Sequence, residues 1–439
     1  MDAFGANTGA KWRRSVPVPE HAGWQMPADR RDPVAILVEQ GKTRIAELLP
    51  VRYARMATDP FAFFRGAAAV MAADLAATPT TGIKVQSCGD CHLSNFGAYA
   101  SPEGRPVFDV NDFDETLPAP FEWDVKRLAA SLAIAGRVAK VPDEDCRRLA
   151  RLAARGYRQH MATLVQMPPL AAWSTRVDLA ATIKELEVGK VRRYLEKRLS
   201  ATMESNKAHF GLVEHRGDTW RIKENGQLVR HLTRHELDAR RAFKSYAETL
   251  QEERRVLLDR FRLRDVAFKV VGVGSVGTFC AVGLLVSDNG DPLLLQIKEA
   301  QQSVLAPFAG PSTYDNQGQR VVVGQRMLQA ATDVFLGWTT IALDGRWFYV
   351  RHLKDQRLAN IGARLAEALP FYASLCGRTL ARAHARGGAA AAISAYIGPD
   401  NEFDKAIGRF AVAYAGQTGQ DWQEFRAAIA AGRIPTSQS

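Results

Sequence analysis

Apolar residues at positions 61, 64, 68, 71 and 75 (Phe61, Phe64, Ala68, Met71 and Leu75) fall near one helical face, which predicts a helix over 60–77. Similar spacing predicts helices over Pro33–Leu49, Asp124–Val138 and Asp143–Leu164. Between them comes a strand at Ile83–Gln86, then a dense polar run from Cys88 to Asn95. Two alternating segments, Phe96–Tyr99 and Pro106–Val110, read as a hairpin around Ser101-Pro102-Glu103-Gly104. Residues 178–265 read as charged helix, broken by a strand-like pair near Thr219–Ile222 and Leu228–Leu232. The pattern changes at Val266. Residues 266–298 are β-branched and Gly-rich: strand, glycine loop, strand, a turn at Asp288-Asn289-Gly290-Asp291, and strand. A helix near Gly318–Ala331, strands at Val334–Leu343 and Trp347–Leu353, and Ala-rich amphipathic helix over 365–430 follow. The expected fold is α+β. A β-rich part, 266–353, sits between a helical part, 1–265, and C-terminal helices, 354–439, that complete the helical part.

Composition narrows the class. With 439 residues, 46% of them apolar, the chain can build two or three domains or one bilobal enzyme. Its charge, 58 − 47 = +11, suits an anionic partner such as a nucleotide, a phosphorylated substrate, RNA or an acidic surface. No basic low-complexity tail or nucleic-acid module appears, so nucleic acid is not the expected partner. Five cysteines, an odd number in a long chain, do not suggest a disulfide framework. Arg13-Arg14 is followed by Pro17, Pro19, Glu20 and His21 where an export signal needs an apolar run. No apolar stretch reaches about 18 residues. A cytoplasmic protein without a membrane partner is expected.

Two segments carry candidate chemistry. In Gly89-Asp90-Cys91-His92-Leu93-Ser94-Asn95, Asp90 and Asn95 stand in D-x-x-x-x-N spacing. Kinase catalytic loops use that spacing so that the Asp meets an acceptor hydroxyl while the Asn reaches a metal. A hairpin after Asn95 would return the chain to Asp112, and Asn95 with Asp112 offers the oxygen ligands Mg²⁺ takes. Asp124 opens the next helix, where it could cap the N-terminus and brace the loop. His92, Asp114 and Arg65 are candidate substrate contacts, with Arg326, Arg351, His352, Arg382, His384 and Arg386 as further basic positions. The bland alternative makes the acids turn and cap residues. Cys88-Gly89-Asp90-Cys91-His92 also spells a haem-attachment string. Haem of that kind needs export and zinc needs two more ligands, so the cysteines read as small buried fillers.

The second segment is Gly272-Val273-Gly274-Ser275-Val276-Gly277. Followed by a helix it would fit a dinucleotide turn; followed by a strand it fits a phosphate-covering loop. The run Thr278–Val286 reads as strand, and a further strand brings in Lys298. Gly272, Gly274, Ser275, Gly277 and Lys298 are therefore the candidate nucleotide contacts. The competing view is a β-hairpin with bulge glycines and a surface lysine.

Long segments resemble the bacterial domain-of-unknown-function 2252 family over nearly the whole chain. They are Phe61–Gly66, Gly89–Gly97, Asn111–Glu115, Glu122–Asp124 with Lys126-Arg127, Val271–Gly277, Gln296–Ala300 and Leu380–Arg386. More distantly, Gly89–Asn95, Asp112 and Asp124 are similar to the catalytic end of aminoglycoside-phosphotransferase-like kinases. That resemblance implies a bilobal, protein-kinase-like fold in circularly permuted order, with ATP and Mg²⁺ as cofactors and an unidentified acceptor. It implies Asp90 as catalytic base, Asn95 and Asp112 as metal ligands, Asp124 as structural brace and Lys298 as phosphate lysine. The sequence departs from that pattern: the glycine loop follows the catalytic loop, Cys88 stands where a His is usual, and no Glu is evident to pair with Lys298. A nucleotide-binding regulatory protein without transfer activity is the alternative.

Overall fold

The computed structural model describes residues 9, 11–184, 189–207, 211–217, 219–225, 229–231, 233–269, 276–340, 345–353 and 367–436. It is a mixed α+β chain. Helices Phe121–Val138, Asp143–Val165, Leu369–Ala385 and Glu402–Ala430 pack together as the centre of the helical part. The Asp143–Val165 helix starts on Asp143, Glu144 and Asp145, which favour its positive end, and buries Leu149, Ala153, Tyr157 and Met161. It crosses Leu369–Ala385 so closely that a Cβ on Gly377 would lie 2.0 Å from the Ala153 carbonyl oxygen. The Phe121–Val138 helix is buried almost all round, so its polar residues must find partners inside.

The β-rich part is a six-stranded sheet. Its order is Gly337–Trp338, Trp347–His352, Pro292–Ala300, Cys280–Ser287, Phe261–Lys269, Val229–Arg230, every neighbouring pair antiparallel. One apolar cluster gathers Phe243, Tyr246, Leu295, Ile297 and Phe348; another gathers Ile222, Ala267, Val282 and Leu294.

Several local expectations change. Pro33–Leu49 is not one helix: Pro33–Gly41 ends, Ala46–Leu48 makes a 3₁₀ turn, and Leu49–Met56 begins anew. Pro50 cannot donate to the preceding turn, and the Ile45 N–H is spent on the Gly277 carbonyl, 2.7 Å away. The 60–77 helix splits at Ala67 into Pro60–Gly66 and Ala68–Ala76. There Arg52 donates to the Gly66 carbonyl at 2.7 Å, giving it a partner outside the helix. Thr219–Ile222 pairs with Val213–Arg216, while Val229–Arg230 joins the large sheet. Leu228 and Leu232 lie outside the described residues. The first long strand of the sheet starts at Phe261, upstream of residue 266, because the charged alternation Phe261–Arg264 is an outward-facing strand rather than helix.

Candidate functional site

Short β-pairing builds the polar segment into a site. Strand Lys84–Ser87 pairs antiparallel with Leu117–Pro120, and Phe96–Ala100 pairs with Pro106–Val110, setting Phe96 opposite Val110. The loop 88–95 and the segment 111–116 are therefore held together at both ends. The Asn111 N–H donates to the Asn95 carbonyl at 2.8 Å, which seats Asn95 beside the residue preceding Asp112.

Asp124 lies beneath this loop. Its carboxylate accepts from the Cys88 N–H at 2.8 Å and the Gly89 N–H at 3.0 Å. His384 Nε2 lies 3.1 Å from the same carboxylate, and the Tyr157 hydroxyl lies 2.9 Å from His384 Nδ1. The helix starts at Phe121 with Pro120 as its cap, so Asp124 falls in the first turn and is not the N-cap. Its side chain is thereby available to the loop. Gly89 has φ +80, and a Cβ there would meet the Glu115 carbonyl oxygen at 2.3 Å. Only glycine fits both constraints.

Asp90 is held by Arg127, whose Nε donates to it at 2.7 Å and whose Nη2 donates to the same oxygen. Burial pushes the Asp90 carboxyl upward; Arg127 opposes this, Asp112 adds to it, and Arg65 also favours the ionised form. The Asn95 side-chain amide donates to the Asp90 carbonyl at 2.7 Å, which leaves its oxygen as the end able to ligate a cation. His92, expected among the substrate contacts, is buried edge-on against Phe61, with Nε2 3.8 Å from Asp90 Oδ2. Packing leaves it little open surface for a substrate. Arg65 is half-buried on the Pro60–Gly66 helix.

Across from this loop stands Lys298 on strand Pro292–Ala300. Its ammonium lies 3.8 Å from Asp112 Oδ1 and makes a closer ion pair with Asp114. Asp114 also accepts from the Tyr349 hydroxyl at 2.8 Å. Lys298 and Tyr349 are directly opposed in the sheet, as are Gln296 and Arg351, so all four point to one face. Arg351 donates to Gln296 at 3.1 Å and to the Asn111 carbonyl at 3.1 Å. Burial alone would lower the Lys298 pKa, but Asp112 and Asp114 outweigh it and raise it. Arg320, buried on helix Gln317–Leu328, donates to the carbonyls of Thr116, Asp114 and Gln301 at 2.6, 2.8 and 2.8 Å. Glu115 accepts from the Val304 N–H at 2.7 Å, and burial lifts its pKa to about 7.

A family model described as uncharacterized protein conserved in bacteria, DUF2252, matches residues 44–428. The chain belongs to the DUF2252 family. No curated protein and no solved structure matches it. The DUF2252 match begins at Arg44 and takes in Asp90, Asp112 and Lys298.

In this DUF2252 chain Gly277 leads into a strand, Cys280–Ser287, and not into a helix. The helix start that a dinucleotide turn needs is therefore missing there. Gly272, Gly274 and Ser275 lie outside the described residues. Cys88 and Cys91 are free and buried, and burial pushes both thiols up. Their sulfurs and an Asp124 oxygen lie within 4.8 Å of one another, but the Asp124 oxygens already accept two backbone N–H groups. Arg382 does not line the site: it is fully buried in an ion pair with Asp109. Arg386 is spent on the carbonyls of Met327 and Trp173, at 2.8 and 2.6 Å. Among the described residues no helix is long and apolar enough to cross a membrane.

Sequence reasoning did not single out Tyr349, Arg320 or Asp109. Tyr349 alternates with Arg351 along one strand, as Gln296 does with Lys298, and that shared period was its signal. Arg320 and Asp109 act through distant partners and left no local pattern.

Proposed function

We propose that this chain is an ATP- and Mg²⁺-dependent phosphotransferase of permuted, kinase-like architecture, acting on a hydroxyl of a small molecule or protein. The observation that carries it is the approach of Lys298 Nζ to within 3.8 Å of Asp112 Oδ1. One residue comes from a strand following a glycine loop, the other from the segment following a D-x-x-x-x-N loop. Phosphoryl transfer needs these two groups together, because catalysis there is positioning and charge neutralisation.

On this reading each residue has a task. Lys298 holds the α- and β-phosphates. The Asp112 carboxylate and the Asn95 amide oxygen fit Mg²⁺, which prefers oxygen ligands; bound there, it would neutralise phosphate charge. Asp90 orients the acceptor hydroxyl and takes its proton, while Arg127 fixes the Asp90 carboxylate and Asp124 fixes the loop backbone. The Arg127–Asp90 pair also favours a second reading: a carboxylate so clamped suits a nucleotide-binding regulatory protein without transfer. Calorimetry with Mg-ATP and an ATP-consumption assay over acceptor pools separate the two. Binding with turnover is expected. Binding without turnover supports the regulatory reading, and no binding by the folded protein at millimolar nucleotide sinks both.

A further inference from the structure

Arg44 belongs to the N-terminal segment, far in sequence from both the glycine loop and the acidic cluster. The segment is docked on the sheet by backbone and side-chain bonds. The Ile45 N–H donates to the Gly277 carbonyl at 2.7 Å, and Gln301 donates to the Thr43 carbonyl at 2.8 Å. Arg44 itself donates through Nη1 to the Val276 carbonyl at 2.7 Å. Its side chain lies along Gly277, where an added Cβ would meet Arg44 Cβ at 3.0 Å.

The guanidinium is incompletely satisfied. Its Nε is buried and has no hydrogen-bond partner among the described residues. Asp114, Glu115 and Glu299 are near enough to act on its charge, yet none bonds to it. Asp114 is taken by Lys298 and Tyr349, Glu115 by the Val304 N–H, and Glu299 by the Phe279 N–H at 2.9 Å and Gln301 at 3.0 Å. A second buried guanidinium, Arg52, stands close enough for the two to repel. A half-buried cation with a buried, unmatched donor and a like-charged neighbour is costly. It is explained if an anion completes the site.

If the nucleotide reading above is right, Lys298 takes the inner phosphates, and Arg44, which shares Asp114 as a charged neighbour with Lys298, is left for the outermost one. We propose that Arg44 contacts the terminal phosphate of the bound nucleoside triphosphate and so distinguishes triphosphate from diphosphate. Arginine suits the task because its fork meets two phosphate oxygens at once.

Calorimetry of the wild type, Arg44→Ala and Arg44→Lys with Mg-ATP and Mg-ADP tests this. In Arg44→Ala, Mg-ATP affinity should fall roughly 10- to 100-fold, the scale of a charged hydrogen bond, while Mg-ADP affinity stays within about threefold. Arg44→Lys, which keeps the charge but not the fork, should fall between. If Arg44→Ala does not fold, the ATP-to-ADP ratio of Arg44→Lys decides. Equal weakening of both nucleotides, or none of either, overturns the assignment while leaving the nucleotide site standing. A wild type that binds neither nucleotide overturns both.

Discussion

Lys298 and Asp114 form an ion pair across 184 positions of sequence. The pair gives the buried ammonium the anionic partner that burial demands, and Tyr349 holds the far oxygen of the same carboxylate. On the kinase-like reading proposed above, this acid from the Asn111–Glu115 segment would stand in for the Glu that a helix usually supplies. On helix Gln317–Leu328, Gln325 instead donates to Gln329 at 2.9 Å, and Gln329 to the Val110 carbonyl at 2.7 Å.

Asp112 and Asp90 should separate in their effects. Asp112→Asn removes a full charge from the proposed Mg²⁺ site, so Mg-ATP binding should weaken and turnover fall by ~10²-fold or more. Asp90→Asn should leave the Mg-ATP dissociation constant within about threefold while lowering turnover, because its proposed task is toward the acceptor. Asp145→Asn is the control. Asp145 is half-exposed and, among the described residues, pairs with Arg148 at 3.2 Å, so its loss should cost at most about 1 kcal/mol and leave both readouts unchanged. Loss of Mg-ATP binding in Asp90→Asn would contradict the division of roles.

Glu115 should make stability fall with rising pH. Its carboxyl is raised from 4.5 to about 7 in the folded state, so between those values the native chain binds more protons than the unfolded one. By linkage, its contribution is complete below about 4.5 and is lost as pH rises through about 7. Glu115→Gln keeps an acceptor for the Val304 N–H and removes the titration. Urea midpoints from pH 5 to 8 should show a slope in the wild type that is shallower in the variant; identical slopes would refute the assignment.

The Asp109–Arg382 pair should be among the costliest to break. Both side chains have no exposure, and Asp109 also accepts from the Val110 and Ala330 N–H groups at 2.9 Å each. Asp109→Asn strands a buried guanidinium, so unfolding free energy should drop by about 3–5 kcal/mol. A change under about 1 kcal/mol in denaturant unfolding would show that water reaches the site.

Asp124→Ala should loosen the loop around Asp90 before it unfolds the chain. The Cys88 and Gly89 N–H groups lose their shared acceptor, and hydrogen exchange at these two amides should speed up by at least tenfold. Turnover should fall with it, since Asp90 follows directly in the chain. Exchange that stays at the wild-type rate would mean another acceptor holds the loop.

Much of the scaffold was legible because its periods are local. The Asp143–Val165 helix, the hairpin at 96–110 and the strands flanking Asp288–Asp291 follow from spacing and turn residues. Where local reading failed, distant groups had intervened. Arg52 caps Gly66 from another helix and breaks the 60–77 run, and the docking of Ile45 on Gly277 ends the first helix early.

The sequence by itself determined which groups the site has: an Asp and an Asn at kinase-like spacing, a second acidic segment, a lysine at the end of a buried strand, and an excess of positive charge. Their chemistry depends only on residue type and short spacing. Which groups meet was decided by the tertiary structure alone. Lys298 reaches Asp114 and Asp112, Arg127 takes Asp90, Asp124 turns from helix cap to loop anchor, and Arg44 arrives at the Val276 carbonyl. The reason is physical. A buried charge must be matched within a few ångströms, and packing of remote elements, not sequence proximity, decides which opposite charge lies there.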